Sequence, residues 1–128
     1  MSREEIQGLQ KKRLRLQLKR CYENSAFYQE KFNKAGVRPE DVKSISDIMK
    51  FPVVTKQELR EEQGKYPPYG RYTVSPPEDW REMHPTTGTT GAQVYNIWAE
   101  QAVKNITHDG KDPLELRRTT RRYHTKCL

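Results

Sequence analysis

Between His84 and Val94 the chain reads His-Pro-Thr-Thr-Gly-Thr-Thr-Gly-Ala-Gln-Val, and every residue from Thr86 to Gly91 is threonine or glycine. An ordinary core strand or helix has no use for such a cluster, because glycine is entropically expensive to fix and offers no side chain to pack. The run must be a loop, and it separates the long N-terminal stretch of the chain from the short C-terminal one. Its chemistry fits one task well. Glycine lets backbone N–H groups approach an anion closely, and threonine hydroxyls add short donors. A loop that grips phosphate oxygens has this composition, and so does a plain polar turn; residue types alone leave both readings open. Two familiar phosphate loops are excluded. No Gly-Lys-[Ser/Thr] closes the run, so it is not a Walker A loop, and G-x-G-x-x-G is absent, so it is not a dinucleotide fingerprint.

The residues before the loop read as helical hairpins with short connections. Ile6, Leu9, Leu14, Leu18, Cys21 and Tyr22 recur at helical spacing, which predicts one amphipathic helix from about Ser2 to Tyr22. Asn24-Ser25 breaks it and caps a second helix with Phe27, Tyr28, Phe32 and Ala35 on its apolar face, stopped by Gly36. Pro39-Glu40-Asp41 suits another first turn, and Ser44 or Ser46 can cap a short helix ending before Phe51-Pro52. Thr55-Lys56-Gln57-Glu58 is a capping box that opens a helix through about Glu62. From Tyr66 to Pro77 a proline- and tyrosine-rich segment cannot be regular helix. Strands are expected over Trp80–His84 and Val94–Trp98, followed by a helix over Ala99–Ile106. The Thr/Gly run therefore joins strand to strand. After Thr107 the periodicity collapses, and residues 111–128 read as a poorly ordered basic tail.

With 128 residues, 33% of them hydrophobic and 32% charged, the chain has a mean hydropathy of -1.09. It could form one small domain, but much of it must be solvated helix surface or await partner surface. No apolar run approaches the ~20 residues of a membrane span and the charged N-terminus has no signal core, so a cytoplasmic protein without a membrane is expected. Cys21 and Cys127 make neither a metal pair nor a disulfide framework, and the Asn105-Ile106-Thr107 sequon reads as chance. The net charge of +7 is concentrated at the ends: residues 1–20 carry +5 and residues 111–128 carry +4. This leaves one alternative class, a small basic nucleic-acid-binding or regulatory protein, against the reading of a solvated helix face.

Tyr22-Glu23-Asn24, Phe27-Tyr28, Ala35-Gly36-Val37, Phe51-Pro52, Thr55-Lys56 and Gly88-Thr89-Thr90-Gly91, in this order and spacing, resemble the N-terminal part of the phenylacetate–CoA ligase family of adenylate-forming enzymes. The likeness runs from about Leu9 to about Thr107. It implies an α/β fold, α+β as a fragment: residues 1–110 form part of an AMP-binding-type domain, and residues 111–128 lie outside the pattern. It implies acid–CoA ligation through an acyl-adenylate, with ATP (carried with Mg2+), coenzyme A and a small carboxylic acid as substrates. The family's phosphate-binding motif falls on Thr86, Thr87, Gly88, Thr89, Thr90 and Gly91. Relatives commonly place a lysine directly after the last glycine or two residues further on, where this chain has Ala92 and Val94. Gln93 between them can donate a hydrogen bond but brings no charge. The adenine pocket, ribose-binding Asp and C-terminal lysine of the family have no counterpart here, so catalytic residues are unassigned. An incomplete N-terminal piece, inactive alone and holding no cofactor tightly, is expected.

Other side chains are weighed on their own. His84, at a strand end with no nucleophile or carboxylate partner evident, is expected to support the loop by hydrogen bonding more readily than to catalyse. His84, His108 and His124 lack metal-ligand spacing, and no metal is expected. Tyr66, Tyr69, Tyr72 and Trp98 could pave an acyl pocket, though packing against a sheet explains them more simply. Arg117-Arg118 and Arg121-Arg122 read as a solvated charge run, and nucleic acid as a partner is not favoured.

Overall fold

The computed structural model describes residues 1–86 and 91–107, with side chains as far as residue 104. The expected tail, residues 111–128, lies outside the described residues. Helix α1 (Arg3–Asn24) opens one residue after a complete capping box, in which Ser2 Oγ accepts the Glu5 N–H at 3.2 Å and the Glu5 carboxylate accepts the Ser2 N–H. Only the second half of its apolar stripe meets other elements. Leu14, Leu18, Cys21 and Tyr22 pack on the core, whereas Ile6 and Leu9 are exposed.

Ser25 ends one helix and starts the next. Its N–H donates to the Cys21 carbonyl at 3.1 Å, and its Oγ accepts the Tyr28 N–H to cap α2 (Ala26–Ala35). Gly36, at φ 68°, stops α2 in the left-handed conformation that a side chain would resist, and the Val37 N–H closes back on the Phe32 carbonyl. Two 3-10 turns come next, Pro39–Asp41 and Ile45–Lys50. The second is the expected short helix in tighter form. The Asp47 carboxylate draws in the N–H groups of Lys43 and Ser44 at 2.8 and 2.7 Å, and Pro52 bars continuation after Phe51. Helix α3 (Lys56–Lys65) begins at the Thr55/Glu58 capping box and runs three residues beyond the expected end, the Tyr66 N–H still reaching the Glu62 carbonyl.

Phe32, Val42 and Phe51 form the buried centre of this helical part, with Tyr22, Tyr28, Leu14, Leu18 and Val37 around them. The Phe32 ring meets Phe51 edge-on at 5.2 Å and lies parallel to Tyr22 at 6.4 Å. The irregular segment after α3 is tied down by Arg71. Its guanidinium reaches Glu62 (Nε to Oε1, 2.6 Å) and Glu30 (Nη1 to Oε1, 2.8 Å), lies 3.8 Å over the Tyr66 ring, and its carbonyl accepts the Ser25 hydroxyl at 2.7 Å. One residue thus joins α2, α3 and the α1–α2 junction. A 3-10 turn at Pro77–Asp79 then leads into β1 (Trp80–Pro85), which pairs antiparallel with β2 (Tyr95–Ala99), with Pro85 opposite Tyr95 and a bulge at Arg81. Helix α4 (Glu100–Thr107) continues directly from β2 and packs on both strands, with Arg81 bridging to Glu100 at 2.9 Å. The Thr/Gly run therefore does connect strand to strand.

Two consequences are measurable. Phe32→Ala removes the ring on which the helical core converges and should lower stability by about 3–5 kcal/mol in a urea titration; a loss below about 1 kcal/mol would mean that core is not cooperative. Glu58 is held down at about 2, first by the Lys31 ammonium and then by the Thr55 N–H. A depressed carboxyl stabilises the fold above its ordinary value of 4.5 and loses that contribution as pH falls from there through about 2. The stability difference between the chain and Glu58→Gln should accordingly be full near pH 6 and vanish toward pH 2.

Candidate phosphate-binding site

Thr86 and Gly91, the two ends of the Thr/Gly run, are described; Thr87, Gly88, Thr89 and Thr90 lie outside the described residues. The neck is closed by Thr86, whose N–H donates to the Val94 carbonyl at 2.8 Å while its Oγ1 accepts the Val94 N–H at 3.1 Å. One predicted phosphate ligand thus already serves as a fastening, with its hydroxyl proton left to donate. Gly91 has φ 99°, a backbone state that side chains rarely adopt, so glycine is required where the chain turns back toward β2.

Helix α3 holds the returning strand. Arg60 and Gln63, three residues apart, share one helix face. Gln63 is buried; its Nε2 donates to the Gln93 carbonyl at 2.9 Å and its Oε1 accepts the Tyr95 N–H at 2.8 Å. The Tyr72 hydroxyl lies 2.5 Å from the same Oε1 and 2.8 Å from the Tyr95 carbonyl. Burial raises the Tyr72 phenol above its ordinary value, which keeps it a protonated donor. Arg60 donates from Nε to the Ala92 carbonyl at 2.9 Å. Its guanidinium stands beside Gly91: a Cβ on that glycine would lie 3.7 Å from Cζ and 3.8 Å from Nη1.

The remaining sequence candidates have other partners. His84 Nε2 pairs with Glu82 at 2.9 Å, and its ring lies 4.4 Å from Trp98, so its described contacts fall within the hairpin and the neck bonds come from Thr86. The Gln93 side chain is exposed, and its carbonyl is what α3 grips. The aromatics are engaged in packing: Tyr69 edge-on against Trp80 and Tyr95, Tyr72 against Phe27, Tyr66 beneath Arg71. Of the two positions where the family resemblance leads one to expect a lysine, Ala92 is exposed but Val94 is 1% exposed, so a cation is sterically admissible only at the first. Among the described residues no cluster of His, Cys, Asp and Glu could hold a metal, and no helix is long and apolar enough to cross a membrane.

Arg60 and Gln63 were not among the residues singled out from sequence, and Tyr72 was expected only as a packing or acyl-pocket aromatic, not as a donor to Gln63 and Tyr95. Their i, i+3 spacing on a capped helix signals a common face for the first two, but nothing local says what that face meets about 30 residues later.

The chain is similar to known coenzyme A ligases. No protein-family profile matches the chain. A phenylacetate–coenzyme A ligase of Escherichia coli (strain K12) is 43% identical over 102 residues, 80% of this chain and 22% of the relative. One from Aromatoleum evansii is 38% identical over 117 residues, 85% of this chain and 26% of the relative. A 2-hydroxyisobutyryl-CoA ligase, solved with 2-HIB-AMP and CoA in the thioesterification state, superimposes with a TM-score of 0.77 at 31% identity over 85% of this chain and 23% of that one. The resemblance to the N-terminal part of the phenylacetate–CoA ligase family therefore holds across most of the residues, and so does the adenylate-forming ligase fold. The chain spans about a quarter of the length of the curated relatives it matches.

Gln63→Leu should free the returning strand. It leaves the Tyr95 N–H and the Gln93 carbonyl without their partner, at about 1–3 kcal/mol, and amide exchange at Tyr95 should quicken by about tenfold or more. Unaltered protection of Tyr95 would show that α3 does not hold this strand.

Proposed function

We propose that this chain is the phosphate-loop segment of an adenylate-forming carboxylic acid–CoA ligase. In the whole enzyme a carboxylate oxygen of a small acid attacks the α-phosphorus of ATP, the bond to the β-phosphate breaks, and pyrophosphate leaves. The coenzyme A thiol then loses its proton, its sulfur attacks the acyl carbon, and AMP departs. The observation that carries this reading is a Thr/Gly run at the tip of a two-stranded hairpin, its neck fastened by Thr86 and its return strand held by Arg60 and Gln63. The likeness to ligases that carry acyl-adenylate and CoA supports it.

In this reading the amides and hydroxyls from Thr86 to Gly91 meet the β- and γ-phosphates. Their contribution is largest where charge grows, on the oxygens of the departing pyrophosphate. Mg2+ enters with ATP as part of the substrate. Coenzyme A and the acid meet parts of the enzyme outside this segment, and the chain by itself is inactive and binds no cofactor tightly.

Two measurements test the proposal. The chain supplied with phenylacetate, MgATP and coenzyme A should release no acid-dependent pyrophosphate above blank; release would overturn the inactive-segment reading. When the segment replaces its counterpart in the E. coli relative, Thr89→Val or Thr90→Val should slow adenylation, by about 10²–10³ where the lost hydroxyl is a well-placed donor. Thioester formation from preformed acyl-adenylate should be unaffected. If both variants adenylate at the parental rate, the run is only a connector.

A further inference from the structure

Arg60 is the half-buried cation of α3, whose lysines, Lys56 and Lys65, are exposed. Each carboxylate of that helix is engaged elsewhere: Glu58 with Lys31 and Thr55, Glu61 with Gln57, and Glu62 with Arg71. Among the described residues Arg60 makes no ion pair. A guanidinium in that position normally finds a carboxylate or a phosphate, since its planar fork offers five donors. Here one donor, Nε, is spent on the Ala92 carbonyl, which pins the group and leaves the Nη donors beside Gly91.

We infer that Arg60 is a phosphate-contact residue, supplying from α3 the positive charge that Ala92 does not supply from the loop. The inference rests on the phosphate reading of the Thr/Gly run. A lysine directly after the last glycine would reach the polyphosphate from within the loop; Arg60 reaches the same glycine from a helix more than thirty residues earlier. The Nε bond to Ala92 aims the group without consuming its charge. Bidentate arginine–phosphate pairing is stronger and more directional than a lysine point charge, so the exchange need not weaken nucleotide binding.

The chain itself, titrated with inorganic tripolyphosphate and followed by nitrogen–proton NMR, tests this, with sulfate at matched ionic strength as control. The Arg60 side-chain Nε–H signal and the Gly91 and Ala92 amides should move together and saturate. Arg60→Gln should weaken tripolyphosphate binding by about five- to tenfold, the scale of one charge at about 4 Å in a wet site. Arg60→Lys should lose less than Arg60→Gln, and Ala92→Lys added to Arg60→Gln should restore affinity, because charge and not the Ala92 brace is what the ligand reads. If the amides saturate while the Arg60 signal stays still and Arg60→Gln binds as the parent does, Arg60 is only a brace: the inference falls and the phosphate reading stands. If neither set of signals responds, the phosphate reading fails and the inference falls with it. Should Arg60→Gln unfold by circular dichroism, the parent's Arg60 signal and Arg60→Lys decide the question.

Discussion

Glu62 is a carboxylate only 6% exposed in a chain with few apolar residues, and the arrangement of the molecule depends on how that charge is satisfied. Arg71 meets it through Nε and Nη2 and, with the same guanidinium, holds Glu30 of α2. Among the described residues the buried hydrophobics are Phe32, Val42, Phe51 and Val94, and the last stands apart from the other three. The cluster around Phe32 therefore organises the helical part but does not include the hairpin. Aromatic contacts of Tyr72 with Phe27 and of Tyr69 with Trp80 and Tyr95 join the two, together with a polar bridge: Glu62 to Arg71, Gln63 to Tyr72 and β2, Ser25 to the Arg71 carbonyl. Such a pair adds little net stability compared with an apolar replacement, yet breaking one side is severe because the other is left charged in a dry place. Its value is geometric. It admits one seating of the 66–79 segment on α3, and that seating determines where β2 runs. No buried side-chain polar atom among the described residues lacks a partner, so the network is closed.

How much of the fold is legible in the sequence depends on the range of the forces involved. Capping and glycine stops act within four residues, and Ser2, Ser25, Gly36 and Thr55 all mark helix ends as expected. The misplacements are of the same local kind. The Ile45–Lys50 turn tightened because Asp47 gathers two N–H groups, and α3 passed Gly64 because a single glycine weakens a helix without ending it. The apolar stripe of α1 announced a buried face along its whole length, but periodicity describes the helix and not its neighbours. Ile6 and Leu9 have the right spacing, yet both are exposed among the described residues.

The candidate site divides along the same line. The Thr/Gly run and its strand-to-strand setting were legible because they are contiguous. Arg60 and Gln63 were not, and Tyr72 was legible only as a packing or acyl-pocket aromatic, since their meeting with Ala92, Gln93 and Tyr95 is arranged by the polar bridge through Glu62 and Arg71. The contiguous loop segment from His84 to Val94 contains no lysine or arginine. In three dimensions a guanidinium from α3 lies against Gly91, and the position of Val94 proves to be interior.

Bracing of this kind bears directly on what a glycine- and threonine-rich loop can do. Fixing each backbone residue costs roughly 1–2 kcal/mol of conformational entropy, and glycine loses the most. If the whole of that cost fell at the moment phosphate is gripped, binding would be weak and the donors would arrive in scattered orientations. Closing the neck through Thr86 and Val94, and anchoring the return through Ala92, Gln93 and Tyr95, places part of the ordering in the folded state. Donors held before the reaction can stabilise charge as it appears on departing oxygens, whereas donors that must first be gathered spend their interaction on being ordered. The polar seam around Glu62 and Gln63 therefore acts at some distance from itself: by fixing β2 against α3 it sets where Gly91, the C-terminal end of the Thr/Gly run, stands relative to Arg60.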